Sequence, residues 1–279
     1  MRTLVHLSDL HFGRLLPETV QPCLAKVKGL APDLVVVSGD LTQRARKKQY
    51  AQAKAFLAAL PQPQLVLPGN HDVPAYNLYR RLMQPLDRYK RIITGDLSPR
   101  FVDEEMAVFG INTARALVIK GGRINQEQLE RLEADVQTLT DHQVKIVVVH
   151  HPLDLPEHLE GVRLVERADH AMRTFARCRI DFFLAGHLHL ALVGSTARYG
   201  IPGYRVPIFQ AGTTISSRAR GEPNSFFVHT VDRDEISTAT YMWDAGGQDF
   251  TLSETHHFSR TAEGWSLSKA EGNQVLPPS

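Results

Sequence analysis

Hydrophobic residues in the first two thirds of the chain come in short unbroken runs: Thr3 to Ser8, Leu34 to Ser38, Leu65 to Leu67, Val144 to Val149 and Phe182 to Ala185. Runs of this length, bounded by Gly, Pro and polar residues, read as strands buried on both faces. Helix-length stretches separate them. One follows the loop Asp9 to Pro17 and runs through Lys28, and another spans Lys47 to Leu60 with Phe56, Leu57 and Leu60 on its apolar side. Further helices are expected at Ala75 to Met83, Leu86 to Ile93 and Val165 to Cys178. Asn125 and Gln128 form a cap pairing before Leu129, Leu132, Val136 and Leu139, which recur at helical spacing. Two short strands, Phe101 to Asp103 and Ala107 to Asn112, precede that helix.

This alternation predicts right-handed βαβ units and a largely parallel sheet. Beyond Leu192 the pattern changes. Leu192 to Thr196, Tyr204 to Gln210, Phe226 to Val231, Ile236 to Trp243 and Glu254 to Phe258 read as successive strands, so the last third is expected to be mostly antiparallel. After Ser259 the residues turn polar with Gly and Pro, which predicts a frayed end. The expected organisation is one domain over 1–260, with Asp72–Arg100 as a helical insertion over the site, and a polar tail over 261–279.

Composition narrows the function classes. With 279 residues and 43% hydrophobic content the chain can bury a large core. No apolar segment is long enough to span a bilayer and no export signal is visible, so a cytoplasmic protein with no membrane partner is expected. A net charge of +2 is too small to imply wholesale attraction to nucleic acid. A homo-oligomer is left open. Cys23 and Cys178 lack metal-ligand spacing and read as two buried thiols. The 13 histidines matter mainly for where they cluster.

Five of the runs end in ligand-type residues: Asp9 and His11, Asp40, Asn70 and His71, His150 and His151, and His187 and His189. Taken singly, a strand-end Asp is usually a cap and a lone His is usually hydrogen-bonded structure. Together they change the balance, because the carboxyl ends of parallel strands share one edge of a sheet and can bring all five sets to one place. Oxygen and imidazole donors without thiolate suit Zn, Mn or Fe. Seven or more such groups exceed what one tetrahedral ion takes, whereas two ions sharing a bridging carboxylate would use them. Asp40, alone at its strand end, is the best bridge. Asp9 and His11 alternate so that both can reach one ion, and His187 and His189 repeat that geometry.

Ser8-Asp9-Leu10-His11, Gly39-Asp40, Gly69-Asn70-His71-Asp72, His150-His151-Pro152 and Gly186-His187-Leu188-His189 resemble, in order and spacing, the motif set of the calcineurin-like metallophosphoesterase superfamily. The resemblance covers residues 1 to about 215 and is strongest to the bacterial branch containing cyclic-nucleotide phosphodiesterases. It implies an α/β fold, a four-layer α/β/β/α sandwich with mixed sheets. It implies two divalent metal ions, one held by Asp9, His11, Asp40 and His189, the other by Asp40, Asn70, His150 and His187. Choosing His150 over His151 rests on family position, since the residues alone leave the two equivalent.

The implied activity is metal-dependent hydrolysis of a phosphodiester: a metal-bridging hydroxide attacks phosphorus while His71 assists the leaving group. Asp72 is expected either to orient His71 or to cap the helix before Pro74. A cyclic nucleotide or another small phosphate ester is the expected substrate. Nuclease, phosphomonoesterase and nucleotide-sugar pyrophosphatase activities on the same site are alternatives. A non-catalytic binding scaffold is a remoter one, disfavoured because the ligand set and His71 are complete. Arg44, Arg46, Lys47 and Lys48 precede or open a helix, where cations are disfavoured by the dipole, and read as a solvated basic face or a phosphate attractor. Asn112, Arg115, Arg218 and Arg220 are weaker candidates for substrate contact. His142, His158, His170, His229, His256 and His257 read as surface or structural histidines.

Overall fold

A computed structural model describes residues 1–75, 77–117, 121–155 and 162–272. His158 and the last seven residues of the expected tail lie outside the described residues. The first half alternates β1 (Arg2–Leu7), α1 (Pro17–Gly29), β2 (Leu34–Val37), α2 (Lys47–Ala59) and β3 (Gln64–Val66). Two short helices follow, α3 (Leu78–Met83) and α4 (Asp87–Ile92), then β4 (Arg100–Val102), β5 (Met106–Gly110), α5 (Gln126–Val136), β6 (Val144–Val148) and α6 (Ala168–Arg177). The remainder is β7 (Phe182–His189), β8 (Leu192–Ser195), β9 (Pro207–Gly212), β10 (Ser225–Val231), β11 (Glu235–Asp244), β12 (Asp249–Thr261) and β13 (Gly264–Gly272).

The strands form two sheets, ordered β13-β12-β11-β10-β1-β2-β3 and β4-β5-β6-β7-β9-β8. β1, β2 and β3 run parallel, as do β5, β6, β7 and β9, while the other pairings are antiparallel. The expected mixed four-layer sandwich is therefore observed. Alternation along the strands builds it: Leu4, Leu34, Val36 and Leu65 face the second sheet and share a core with Ile146, Phe182 and Phe209. Val5, Leu7, Val35 and Val37 point the other way and pack on Cys23 and Val27 of α1 and on Tyr50, Ala53 and Phe56 of α2. Residues Leu129 and Leu132 of α5 and Met172 and Phe175 of α6 cover the second sheet. β2 is buried along its whole length, which is why its sequence is an unbroken apolar run.

The parallel strands divide between the two sheets, so the metal-type residues come from two facing edges rather than one. The stretch Asp72–Arg100 holds α3 and α4. Buried Tyr89 of α4 donates its hydroxyl to the Val66 carbonyl at 2.9 Å, tying that helix to β3. Asn77 caps α3, its side chain accepting from Arg80 N, so the helix starts later than the hydrophobic pattern predicted.

The frayed end expected after Ser259 is corrected. β12 continues to Thr261, and β13 closes the edge of the larger sheet. An edge strand with one solvated face needs few apolar residues, so its pattern is faint. Trp265 is its one buried side chain: the indole is 4% exposed, its N–H donates to Asp181 at 3.2 Å, and the Arg260 guanidinium lies 4.5 Å from the ring centre. Trp265→Ala should therefore lower the unfolding free energy by about 3–5 kcal/mol in denaturant titrations. A loss within about 0.5 kcal/mol, as for an ordinary surface position, would mean that this segment is not part of the fold.

Candidate metal centre

The loops leaving β1 and β2 zip together before they diverge. Asp9 N–H donates to Gly39 O, His11 N–H to Asp40 O and Phe12 N–H to Leu41 O, at 3.1, 2.9 and 2.9 Å. Asp9 and His11 are thereby set beside Asp40. In the second sheet Gly186 N–H donates to His150 O at 3.0 Å, joining the ends of β6 and β7 in the same way. The two edges meet where Thr214 N–H donates to Ser8 O at 3.1 Å.

Asp9, His11, Asp40, His187 and His189 all adopt left-handed backbone conformations, with φ of 54, 46, 51, 79 and 63°. Such conformations are uncommon outside Gly, and here they turn successive side chains to one side. Two glycines admit the ligands: a Cβ at Gly69 would overlap Asp40 Oδ1, and one at Gly39, whose φ is +121°, would sit 2.6 Å from His150 Nδ1.

Asp9, His11, Asp40 and His189 are buried, and their ligand-type atoms all lie within 4.8 Å of one another. His11 Nε2 is 3.5 Å from Asp9 Oδ1 and 3.7 Å from Asp40 Oδ2, and His189 Nε2 is 3.3 Å from Asp9 Oδ1. The Nε2 atoms of His11 and His189 face each other at 3.2 Å. His189 donates from Nδ1 to the Arg218 carbonyl at 2.9 Å, which leaves Nε2 as a lone pair. Asp9 Oδ1 and Asp40 Oδ2 are buried without a hydrogen-bond partner among the described residues. Against burial, which would raise it, His189 and His11 hold the Asp9 carboxyl well below the carboxylate range. Asp40 is held low in the same way, against burial, by His150 and His71.

His150, His151 and His187 form the second cluster, with ligand-type atoms again within 4.8 Å. His150 donates from Nδ1 to Ser38 O at 3.0 Å, so its Nε2 faces Asn70 Oδ1 at 3.3 Å and Asp40 Oδ1 at 3.4 Å. Although burial lowers it, the Asp40 carboxylate raises His150 to about 9. His151 instead pairs its Nδ1 with Thr113 Oγ1 at 2.7 Å, and its Nε2 is buried without a partner. Both rings pack against His187. Of the two, His150 is the one in contact with Asp40 and Asn70.

The surroundings of His71 depart from expectation. Its Nδ1 lies 2.9 Å from the Gln43 carbonyl, and its Nε2 lies 2.9 Å from Arg218 Nη1. Since a carbonyl only accepts and a guanidinium only donates, the proton sits on Nδ1 and the lone pair on Nε2. The expectation that Asp72 orients this ring is corrected: the Gln43 carbonyl does. The Asp72 carboxylate accepts from Leu41 N, Thr42 N, Thr42 Oγ1 and Gly69 N at 2.9–3.0 Å, fastening the β2 exit loop to the β3 exit turn. Burial and the neighbouring Asp40 charge raise its carboxyl to about 6. Arg115 is also assigned otherwise, because its guanidinium bonds to Asn112 O, Ala114 O and Gln128 Oε1. Arg218 and Gln43 are the additions that sequence reasoning ranked low or missed. They are 147 and 28 residues from His71, and no local pattern signals the contact.

A buried chain of hydrogen bonds supports Asp9 from inside the sandwich. Ser8 Oγ donates to Asp9 Oδ2 at 2.7 Å, and Ser38 Oγ donates to Ser8 Oγ at 2.9 Å. Ser38 therefore accepts from His6 Nε2, 2.9 Å away. Burial lowers His6 to about 3, so the ring is neutral and supplies that single proton. With His187 N–H also donating to Oδ2 at 2.8 Å, Asp9 has one oxygen committed and presents Oδ1 to the cluster.

Two buried carboxylates facing imidazole lone pairs, with orphaned oxygens aimed inward, have the donor chemistry of a divalent-cation site. A model of calcineurin-like phosphoesterases matches residues 2–191. The chain belongs to the calcineurin-like phosphoesterase family. Family members use divalent metals, and the buried His/Asp cluster is where this chain could hold them. A probable glycerophosphodiester phosphodiesterase, GpdQ, of Arcobacter nitrofigilis is 28% identical over 171 residues, 56% of this chain and 60% of that protein. The 3′,5′-cyclic adenosine monophosphate phosphodiesterase CpdA of Escherichia coli K12 is 26% identical over 168 residues, 57% and 55% of the two chains. The chain thus spans less than two thirds of the length of these curated relatives. Purple acid phosphatase PPD1 from yellow lupin shares the fold, with a TM-score of 0.71 at 14% identity over 92% of this chain and 53% of that one. No helix among the described residues is long and apolar enough to cross a membrane.

Ser8→Ala removes the direct link between the serine chain and Asp9. Metal affinity measured by calorimetry should fall about 10–100-fold while the metal-free protein stays folded. Unchanged affinity would show that the chain does not position Asp9.

Proposed function

We propose that the protein hydrolyses a small phosphodiester, using two divalent ions. Asp9, His11, Asp40 and His189 would hold one ion, and Asp40, Asn70, His150 and His187 the other. The observation that carries this reading is the Asp40 carboxylate, whose Oδ2 lies 3.7 Å from His11 Nε2 while Oδ1 lies 3.4 Å from His150 Nε2. One carboxylate thus has an oxygen for each cluster, as a bridging ligand requires. Oxygen and nitrogen donors suit Mn, Fe or Zn. When bound, such ions stabilise phosphoryl oxygens and make water nucleophilic near neutral pH.

The protein groups have separate tasks. His71 keeps Nδ1–H on the Gln43 carbonyl and offers Nε2 towards Arg218. A phosphoryl oxygen is a stronger acceptor for a guanidinium than a neutral imidazole is. An arriving diester would therefore draw Arg218 to itself and free the Nε2 lone pair, which then takes a proton from solvent and, as imidazolium, passes it to the leaving oxygen. Arg218 also steadies His189 through its own carbonyl, so anion binding and ligand geometry share a residue. The relatives named for glycerophosphodiesters and for 3′,5′-cyclic AMP make small phosphodiesters the first class to assay.

Purified protein should bind two divalent ions per active chain by elemental analysis and lose turnover on chelation. Fewer than two would sink the two-ion reading. His71→Ala should lower kcat for a glycerophosphodiester or cyclic nucleotide by about 10²–10⁴. Its effect should be much smaller for bis(p-nitrophenyl) phosphate, whose leaving group departs without a proton. Equal losses on both substrates would remove His71 from leaving-group assistance.

A further inference from the structure

The loop after Asp40 and the segment after Asp72, which adjoin the candidate metal centre in sequence, line an open concavity of about 410 Å³. Arg44, Arg46, Arg80 and Arg88 line it together with Pro74, Ala75 and Asn77. Four guanidinium groups around one hollow repel one another, and none of its lining residues is acidic. Among the described residues, Arg46, Arg80 and Arg88 have no carboxylate within ion-pair distance. Asp87, the nearest acidic residue in sequence to Arg88, is paired with Arg91.

The hollow is built rather than merely exposed. Gln49 Oε1 accepts from both Arg44 N and Arg46 N, at 3.0 and 3.3 Å, and Thr42 Oγ1 accepts from Ala45 N at 2.9 Å. These bonds fix the turn that carries Arg44 and Arg46. Arg88 donates from Nη1 to Ala45 O at 2.7 Å, which clamps α4 to that turn, and its Nε is buried without a partner. Asn77 Oδ1 accepts from Arg80 N at 2.8 Å and sets the start of α3. Lys47 and Lys48 open α2 with no acidic residue in its first turn, an arrangement that adds to the positive potential. Gln43, whose carbonyl holds His71, immediately precedes Arg44, so the hollow and the reaction centre share one loop.

We propose that this arginine-lined hollow binds a second phosphate group carried by the substrate, so that the preferred substrates are phosphodiesters bearing a terminal phosphomonoester. The assignment rests on the phosphodiesterase reading and specifies its substrate class. Guanidinium groups suit it because each can donate two parallel hydrogen bonds to phosphate oxygens, and several can surround a dianion. A simple diester would occupy the metal centre and leave the hollow unused.

The test compares dithymidine phosphate with the same compound carrying a terminal 5′ or 3′ phosphate, in wild type and in the double variant Arg46→Ala/Arg80→Ala. In wild type, at least one phosphorylated form should show a kcat/KM about tenfold or more above the unphosphorylated one. The double variant should lose that preference and keep its turnover of dithymidine phosphate and of bis(p-nitrophenyl) phosphate. Arg46→Lys/Arg80→Lys should recover part of it. Calorimetric titration of metal-free protein with the same compounds reads the hollow without turnover, and should show a tighter Kd for the phosphorylated form that the double variant abolishes. If no diester is turned over yet this binding preference is present, the phosphodiesterase reading fails and the anion site stands. If both compounds behave alike in wild type, or the preference survives in the double variant, the proposal is overturned. It is equally overturned if inorganic phosphate alters bis(p-nitrophenyl) phosphate turnover through these arginines while the dinucleotides show no preference, because the hollow would then serve a free anion.

Discussion

Burial of Asp9 and Asp40 a few ångströms from a ring of imidazoles is the constraint that the rest of the structure answers. A carboxylate without water or a partner is costly, and two together are costlier. Each has one oxygen satisfied by the protein: Asp9 by Ser8 and His187 N–H, Asp40 by His71 N–H. The other oxygen of each is held towards the histidines with no protein donor among the described residues. A divalent cation there would balance that charge, and backbone carbonyls at the Nδ1 atoms of His150 and His189 turn the Nε2 atoms of both rings inward.

That requirement propagates outward. Five donors sit in left-handed backbone conformations, and the glycines at 39 and 69 leave room for His150 and Asp40 to pass. Strain of this kind persists only where the surroundings over-determine it. Here the paired exit loops, the Asp72 carboxylate and the serine chain from His6 supply the restraint. Asp72 thus matters for the site through architecture: it binds the two loops that carry Asp40 and His71.

Much of this was legible in the chain. Unbroken apolar runs marked the buried strands, and ligand-type residues at their ends marked the cluster, because both are properties of contiguous residues. Of the two roles expected for Asp72, orienting His71 is not the one its hydrogen bonds serve, because adjacency in sequence says nothing about direction. The one-residue step at the turn sends the Asp72 carboxylate to Leu41 and Thr42 and the His71 ring to Gln43 and Arg218. The last strand was missed for a different reason. Its one buried side chain is an indole, and a single buried residue does not make a periodic pattern.

The sequence by itself determined the element types of the core, the identity of the candidate donors and their order along the chain, since local hydrophobicity and motif spacing encode these. Only the tertiary structure decided which donors face one another, which ring nitrogens of His71, His150 and His189 meet backbone carbonyls, that His150 rather than His151 contacts Asp40, and that Arg218 reaches His71. It also gathered Arg44, Arg46, Arg80 and Arg88 around one hollow. Those relations join residues from both sheets or from separate loops. They depend on where sheet edges and turns meet, a consequence of packing that no short stretch of chain contains.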